Sequence, residues 1–432
     1  MTRPLAPSPS QARNWRLVQV DSVFVGAVSA SGTFLPVFFV RLGASGTEVG
    51  LLTALPAVAA FALAIPFGRW LQGRGDIVPW YSRLRLAGWL CFAAMAGASA
   101  VMPAAQAVPV MLGIWALGSL PSTAGLVAFP IVMDGAAGPA GRFDLLGRRW
   151  AIAGVATAVS VGLGGQLLNL LPFPTNFEAL FVGISLAGIG SFLLSRRIVL
   201  TDQPHRTNAA AAVAGPRLRA LTELVRGQPS FVRYELRALV FTAGIALAAP
   251  LLPLFYVNEV HAPDAWIGII GASQSAGAVL GYVLARRISL RRTGASVLLP
   301  SLLVVALVPA TQAILDLLPL IAVVAFVSGI AGAGAQLALF DRLMDAIPRS
   351  HGVTFSSVDQ SLQNLALIVG PNVGGLLAAT VGVRPGLVAA GVITAVAFIL
   401  FALDAGVRTA ASGPTWRPSP SSGPPQAVQP EE

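Results

Sequence analysis

No lysine occurs in this 432-residue chain, and all 28 basic residues are arginine. Cysteine is nearly absent too, and Cys91 alone cannot form an intrachain disulfide. The three histidines, His205, His261 and His351, fall far apart in predicted loops, so no metal-ligand spacing exists. Charge is scarce: 11% of residues are charged, against about 25% in a soluble protein. With 55% of residues hydrophobic, the composition points to lipid as the main solvent. The formal charge of +10 rests on arginines scattered over short loops, whereas a nucleic-acid site needs a contiguous basic patch. Nucleic acid is therefore not an expected partner. No nucleophile–base pair or phosphate-binding loop stands out either, so neither enzymatic activity nor a cofactor is expected.

What the chain does have is long apolar runs. The stretch Phe34–Asp76 sets the pattern. One run ends at Val40, a polar loop with Arg41 and Glu48 follows, and Val49–Gly68 is uncharged before an arginine-rich turn. Those twenty residues, at 1.5 Å each as helix, cross a hydrocarbon layer of ~30 Å. The pattern returns 217 or 218 residues later, pairing Pro36 with Pro253, Phe39 with Tyr256, Gly50 with Gly268 and Arg69 with Arg287. Gly164-Gly165 likewise recurs as Gly374-Gly375. Twelve spans are predicted, at 18–40, 47–68, 82–102, 107–131, 149–171, 177–195, 236–257, 265–285, 295–315, 317–340, 354–381 and 385–404. Each must be helical, because backbone groups in lipid are satisfied only within the span, and none shows the alternating polarity of a barrel strand.

The expected fold is an all-α polytopic membrane protein of two pseudo-symmetric six-helix bundles. The expected division is a tail at 1–16, a first bundle at 17–198, a central linker at 199–232, a second bundle at 233–405 and a disordered tail at 406–432. The first apolar run is longer than a signal-peptide core, so an uncleaved first span is expected. In the linker, Leu218, Leu221 and Val225 share one face of a short helix expected on the membrane surface. With the amino terminus placed in the cytoplasm, only Arg41 and Arg384 fall outside, together with Glu48, Glu178, Glu259, Asp264 and Asp316. That asymmetry predicts two cytoplasmic termini.

Twelve spans in two halves, a long central loop and a basic turn after the second span resemble the major facilitator superfamily. The family's turn reads G-x-x-x-D-R-x-G-R-R. This chain keeps Gly68 and Gly75, has Gln72, Gly73 and Asp76 at the aspartate, arginine and second basic positions, and carries Arg69 and Arg74 at shifted ones. The resemblance implies a monomeric secondary transporter of the plasma, or bacterial inner, membrane. It would move a small-molecule substrate through the lipid bilayer by alternating access, with an altered latch at this turn. Two family features are missing. The fourth helix has no arginine, and the glycine–proline motif falls at Gly370-Pro371 in the eleventh helix rather than in the fifth. Neither associated coupling mechanism carries over, and a coupling proton or ion stays open.

Charge is nearly absent from mid-span, where one group costs ~2.5–3.5 kcal/mol on insertion scales. Asp21, Asp134, Asp316, Asp341 and Asp359 lie within about a turn of predicted span ends. Asp21 reads as a partner for an inner-side arginine ahead of a coupling acid. With Gly68, Arg69, Arg74, Gly75, Asp76, Asp134, Arg149, Asp341, Arg342 and Asp359 it forms the set of gating or latch candidates. In the family, helices 1, 4, 7 and 10 line the central path. The cavity candidates are therefore Ser29 and Thr33 in helix 1, Trp115, Ser119, Ser122 and Thr123 on one face of helix 4, Phe241 and Thr242 in helix 7 and Gln336 in helix 10. Gln274 in helix 8 and Gln363 and Asn364 in helix 11 join them. A weakly polar, nearly uncharged cavity suggests a neutral or amphipathic solute, with efflux ahead of uptake. A proton-linked or facilitative importer of a sugar-like solute stays open, as does a non-transporting sensor or scaffold on the same fold.

Overall fold

The computed structural model describes residues 9–72, 74, 76–137, 141–200, 218–289, 295–348 and 352–411, and their regular structure is entirely helical. The expectations for residues 1–8, Gly75, 201–217 and 412–432 lie outside the described residues. Among the described residues, twelve helices are long and apolar enough to cross a membrane. Spans 1 to 6 are Ser10–Arg41, Gly46–Leu71, Val78–Val101, Ala104–Ala137, Asp144–Leu167 and Thr175–Ser195. Spans 7 to 12 are Pro229–Glu259, Asp264–Ala285, Ser296–Ala313, Leu318–Ala346, Thr354–Thr380 and Val383–Asp404. All twelve expected spans are present. Several run past their predicted edges, because a helix continues wherever its polar residues find partners within the bundle.

The matched prolines of spans 1 and 7 sit beside departures from α geometry. Span 1 breaks at Ala30, between helices Pro9–Ser29 and Ser31–Arg41, and the second piece contains Pro36. Span 7 carries Pro250 and Pro253, and Phe255–Glu259 is then a π-helical turn. A proline removes one ladder hydrogen bond and crowds the carbonyl four residues back, so the helix relaxes nearby. The linker helix Leu218–Arg226 lays Leu224 and Val225 against the second bundle.

Here the near end means the end where the chain enters span 1 and leaves span 12; the far end is its opposite. At the far end a single apolar core joins both bundles. Phe34, Phe38, Phe177 and Phe181 of the first bundle share it with Leu251, Phe255, Ile267 and Ile321 of the second. Phe38 stacks on Phe177 at 5.0 Å between ring centroids and meets the edge of Phe181 at 5.2 Å. At the near end there are two separate cores. One, around Tyr81, Val132 and Leu145, belongs to the first bundle, and the other, around Phe231, Leu302 and Phe355, belongs to the second. The bundles thus share one core at the far end and have separate cores at the near end.

Candidate gating site

The far-end seam runs along two helix pairs. Span 5 packs on span 8 through glycine: a methyl carbon built on Gly165 would stand 2.6 Å from the Gly268 Cα. Span 2 packs on span 11 in the same way, and a carbon built on Gly46 would lie 2.8 Å from the Gly375 carbonyl oxygen. Only glycine permits backbones this close. Gly165, Gly268 and Gly375 are glycines of the sequence repeat, and Gly46 lies one turn before its Gly50. The two seams are not equivalent, however. The repeat that sets Gly268 against Gly165 would set Gly50 against Gly375, but Gly50 faces Pro371, one helical turn away.

Charge closes the same seam. Arg41, the last residue of span 1, makes an ion pair of 3.0 Å with Asp264, which opens span 8, and donates to the Ala262 carbonyl at 2.7 Å. Asn176 of span 6 reaches the other Asp264 oxygen at 3.5 Å. Arg384, the second arginine of this end, stays within its own bundle, joining Glu259 and Asp316 and donating to the Ala313 carbonyl at 2.9 Å. Sequence reasoning placed Arg41 and Asp264 on one side but did not pair them. The available signal was a lone arginine on an acidic face. A partly shielded pair of this kind contributes about 1 kcal/mol. Asp264→Ala should therefore raise the population with a parted far end about fivefold, read as faster maleimide labelling of a cysteine placed at Ala262.

The charges inside the spans form separate clusters. Asp21 of span 1 is buried, paired with Arg85 of span 3 at 3.2 Å and bonded by the Ser191 hydroxyl of span 6. Arg85 lies over the Tyr81 and Trp89 rings at 4.8 and 4.4 Å. Arg149 is buried between Phe129 and Trp150, at 4.6 and 5.0 Å, and its Nε and Nη1 meet no acceptor among the described residues. In the second bundle Arg237 pairs with Asp404 at 3.1 Å, and Glu235 is buried. The expectation that the spans carry almost no charge is thereby corrected. Glu235 falls inside span 7 because its helix starts at Pro229, and Arg237, already within the predicted bounds, is offset by its pair with Asp404.

The other candidates divide between the bundle interiors and exposed surfaces. In helix 4, Trp115 donates to the Leu52 carbonyl at 2.9 Å. Ser119 and Ser122 bond to carbonyls of their own helix, Ser122 packs on Gly88, and Thr123 is buried. Thr33 packs against Gly271 across the seam, while Ser29 is exposed and bonded to the Val25 carbonyl. Phe241 lies in the near-end core of its bundle, and Asn364 is buried. Thr242 donates to Gln363, which donates to Glu235. Gln274 is exposed, as is Gln336, which accepts from the Tyr282 hydroxyl.

At the basic turn, Arg74 lies between the Trp70 and Trp80 rings at 4.7 and 4.6 Å. Asp76 accepts from the Val78 backbone N–H at 3.0 Å, and Gly68 touches Val127. Arg69 and Asp134 both have partners. At the near end of span 10, Asp341 is exposed, and Arg342 lines a crevice of about 150 Å³ that also meets Tyr234 and Asp404. Asp359 of span 11 is half-buried.

This geometry defines a class: a multi-pass membrane protein of two six-span bundles that share one apolar core at the far end. Residues 236–430 match the family model described as Major Facilitator Superfamily. The fold as a whole is similar to solved transporters. Against the nucleoside transporter NupG the TM-score is 0.71 at 12% identity, covering 90% of this chain and 99% of that one. Against a bacterial homologue of the human lysosomal transporter Spinster, in an inward-facing and occupied conformation, it is 0.69 at 15% identity, covering 96% and 100%. Against a bacterial metal transporter it is 0.66 at 14% identity, covering 92% and 99%. No curated protein sequence matches the chain. The resemblance to the major facilitator superfamily is borne out, by sequence over the second half and by fold over nearly the whole chain.

Proposed function

We propose that the protein is a secondary transporter working by alternating access, and that it moves a small neutral or amphipathic solute. The observation that carries this reading is the single far-end core set against two near-end cores, since two bodies joined at one end can rock about the join. The distribution of arginine supports a cytoplasmic near end and an inner- or plasma-membrane location. With the near end cytoplasmic, the bundles rock apart towards the cytoplasm and load solute there for efflux. The solute class follows from the side chains left exposed in mid-span, such as Gln274 and Gln336, which are neutral, while the buried charges are enclosed within one bundle.

The test starts with a thermal-shift screen of the purified protein. A solute at one hundred times its Kd should stabilise it by about 2.7 kcal/mol. Flux into inverted vesicles then compares the hits with charged metabolites. Preferential movement of the charged set would overturn the solute assignment, and failure of every compound to move would overturn the transporter reading.

A further inference from the structure

At its near end the first bundle holds hydrogen-bond donors with nothing to bond. Among the described residues, eight buried side-chain nitrogen or oxygen atoms meet no partner. Five of the eight are here: Trp15 Nε1, Ser82 Oγ, Arg85 Nη1, and Arg149 Nε and Nη1. Indole and guanidinium N–H groups donate and never accept, so the shortage is one of acceptors. These side chains leave a common core. Tyr81 and Leu145 are buried in it, and Trp15 and Phe129 pack on it. Ser82 follows Tyr81, and Arg149 stands one helical turn after Leu145. Span 4 meets the two arginines on successive turns. A carbon built on Gly125 would stand 3.2 Å from the Arg85 Cγ, and Arg149 covers the Phe129 ring at 4.6 Å.

Arg149 carries the deficit. It is 5% exposed and forms no ion pair among the described residues. The acids of this end are engaged elsewhere. Asp21 pairs with Arg85 at 3.2 Å, Asp144 pairs with Arg148 at 3.1 Å, Asp76 accepts from the Val78 backbone N–H, and Asp134 has a partner. Asp21 balances one of the two buried arginines and leaves one positive charge over. A guanidinium does not give up its proton, so burial cannot neutralise it. Water would satisfy the N–H groups but not the charge, and a buried charge calls for a counter-charge. One wall of the position is open to the exterior. The Trp150 ring lies 5.0 Å from the guanidinium and is 60% exposed. Arg149 is five residues into span 5, about 7.5 Å along the helix, which puts it within reach of the headgroup layer and of water.

We propose that Arg149 is the base of an anion site for a phosphate group, entered beside Trp150 at the near end of the first bundle. Phosphate offers acceptor oxygens in several directions, which suits donors carried by spans 1, 3 and 5 better than a planar carboxylate does. Its charge balances the positive charge that Asp21 leaves over. Arg85 cannot take this role alone, because Asp21 and Ser191 already hold its Nη2. The group comes either from a phospholipid of the leaflet or from free phosphate, since both present the same oxygens. The site lies within one bundle, apart from the far-end seam, and stands whether or not the transporter reading does.

The test uses the purified full chain in detergent and has two arms. In the first, the melting midpoint is followed while potassium phosphate replaces potassium chloride at equal ionic strength. In the second, native mass spectrometry counts the lipid retained after addition of phosphatidylglycerol or of diacylglycerol, which lacks the phosphate. A saturable rise in the first arm, with no lipid held in the second, assigns free phosphate. Retention of one phosphatidylglycerol but no diacylglycerol, reversed by added phosphate, assigns a headgroup. Either result supports the site, and Arg149→Met should then weaken the bound species about tenfold or more, the loss of one charge-assisted hydrogen bond. Should Arg149→Met not fold, Arg149→Lys, which keeps the charge but not the guanidinium donors, must show a weakening of several-fold. A wild type that answers to neither phosphate nor phosphatidylglycerol would overturn the site, as would a folded variant that binds like wild type. A flux panel that finds no solute leaves both arms unchanged, so the two readings fail separately.

Discussion

Gly268→Leu should hold the far end open and stop transport while leaving each bundle folded. A carbon built on Gly268 meets the Gly165 Cα at 2.5 Å and the Val161 carbonyl oxygen at 3.0 Å. Both are backbone atoms, so no rotamer change relieves the contact. Overpacking of this kind costs about 1–3 kcal/mol inside a core. Here the crowded surfaces belong to bodies that can separate, so parting relieves the strain before unfolding does. Since every 1.4 kcal/mol is tenfold in population, the joined state should lose about tenfold or more. The readout is maleimide labelling of a cysteine at Ala262, fully buried in the far-end core, with Cys91 replaced by serine. Gly113→Leu is the control, because nothing lies within 4 Å of a carbon built there. Unchanged labelling in a folded Gly268→Leu protein would remove the seam from the gating account.

Arg85→Met should be among the most destabilising single changes in the first bundle. It leaves Asp21 buried without its cation, and breaking a buried pair from one side costs about 3–5 kcal/mol. Asp21→Asn should cost less, because the amide still accepts from Arg85 and Ser191. Asp21→Leu combined with Arg85→Met should recover much of the loss, because an apolar pair leaves no charge behind. Midpoints of thermal unfolding in detergent order the three variants. If Arg85→Met unfolded like wild type while Asp21→Asn abolished pH-driven accumulation, Asp21 would act as a coupling acid instead.

The apolar runs made the twelve spans legible, since backbone groups in lipid leave only one solution for such runs. The repeat was equally legible, and it supplied three of the four seam glycines, Gly165, Gly268 and Gly375, though not Gly46. What the sequence could not show was which neighbour each helix face meets. Ser119, Ser122 and Thr123 share a face by spacing, but only packing reveals that Ser122 meets Gly88 of the adjacent helix. Arg85 lay inside a predicted span, and its meaning depended on Asp21, sixty-four positions away in a different helix. Glu235 was missed because a hydropathy reading ends a span where charge begins, whereas the helix continues if Gln363 and Asp404 lie alongside.

The placement of the join has a further consequence for assembly. The polypeptide passes from one bundle to the other at the near end, while the surfaces that bind the bundles together lie a membrane's thickness away. Covalent continuity and mutual recognition are therefore carried by opposite faces of the molecule. Each bundle has its own near-end core, so it can settle on its own during synthesis. Docking then depends on the glycine seams and on Arg41 meeting Asp264, and the tether serves to raise local concentration rather than to fix the angle between the halves.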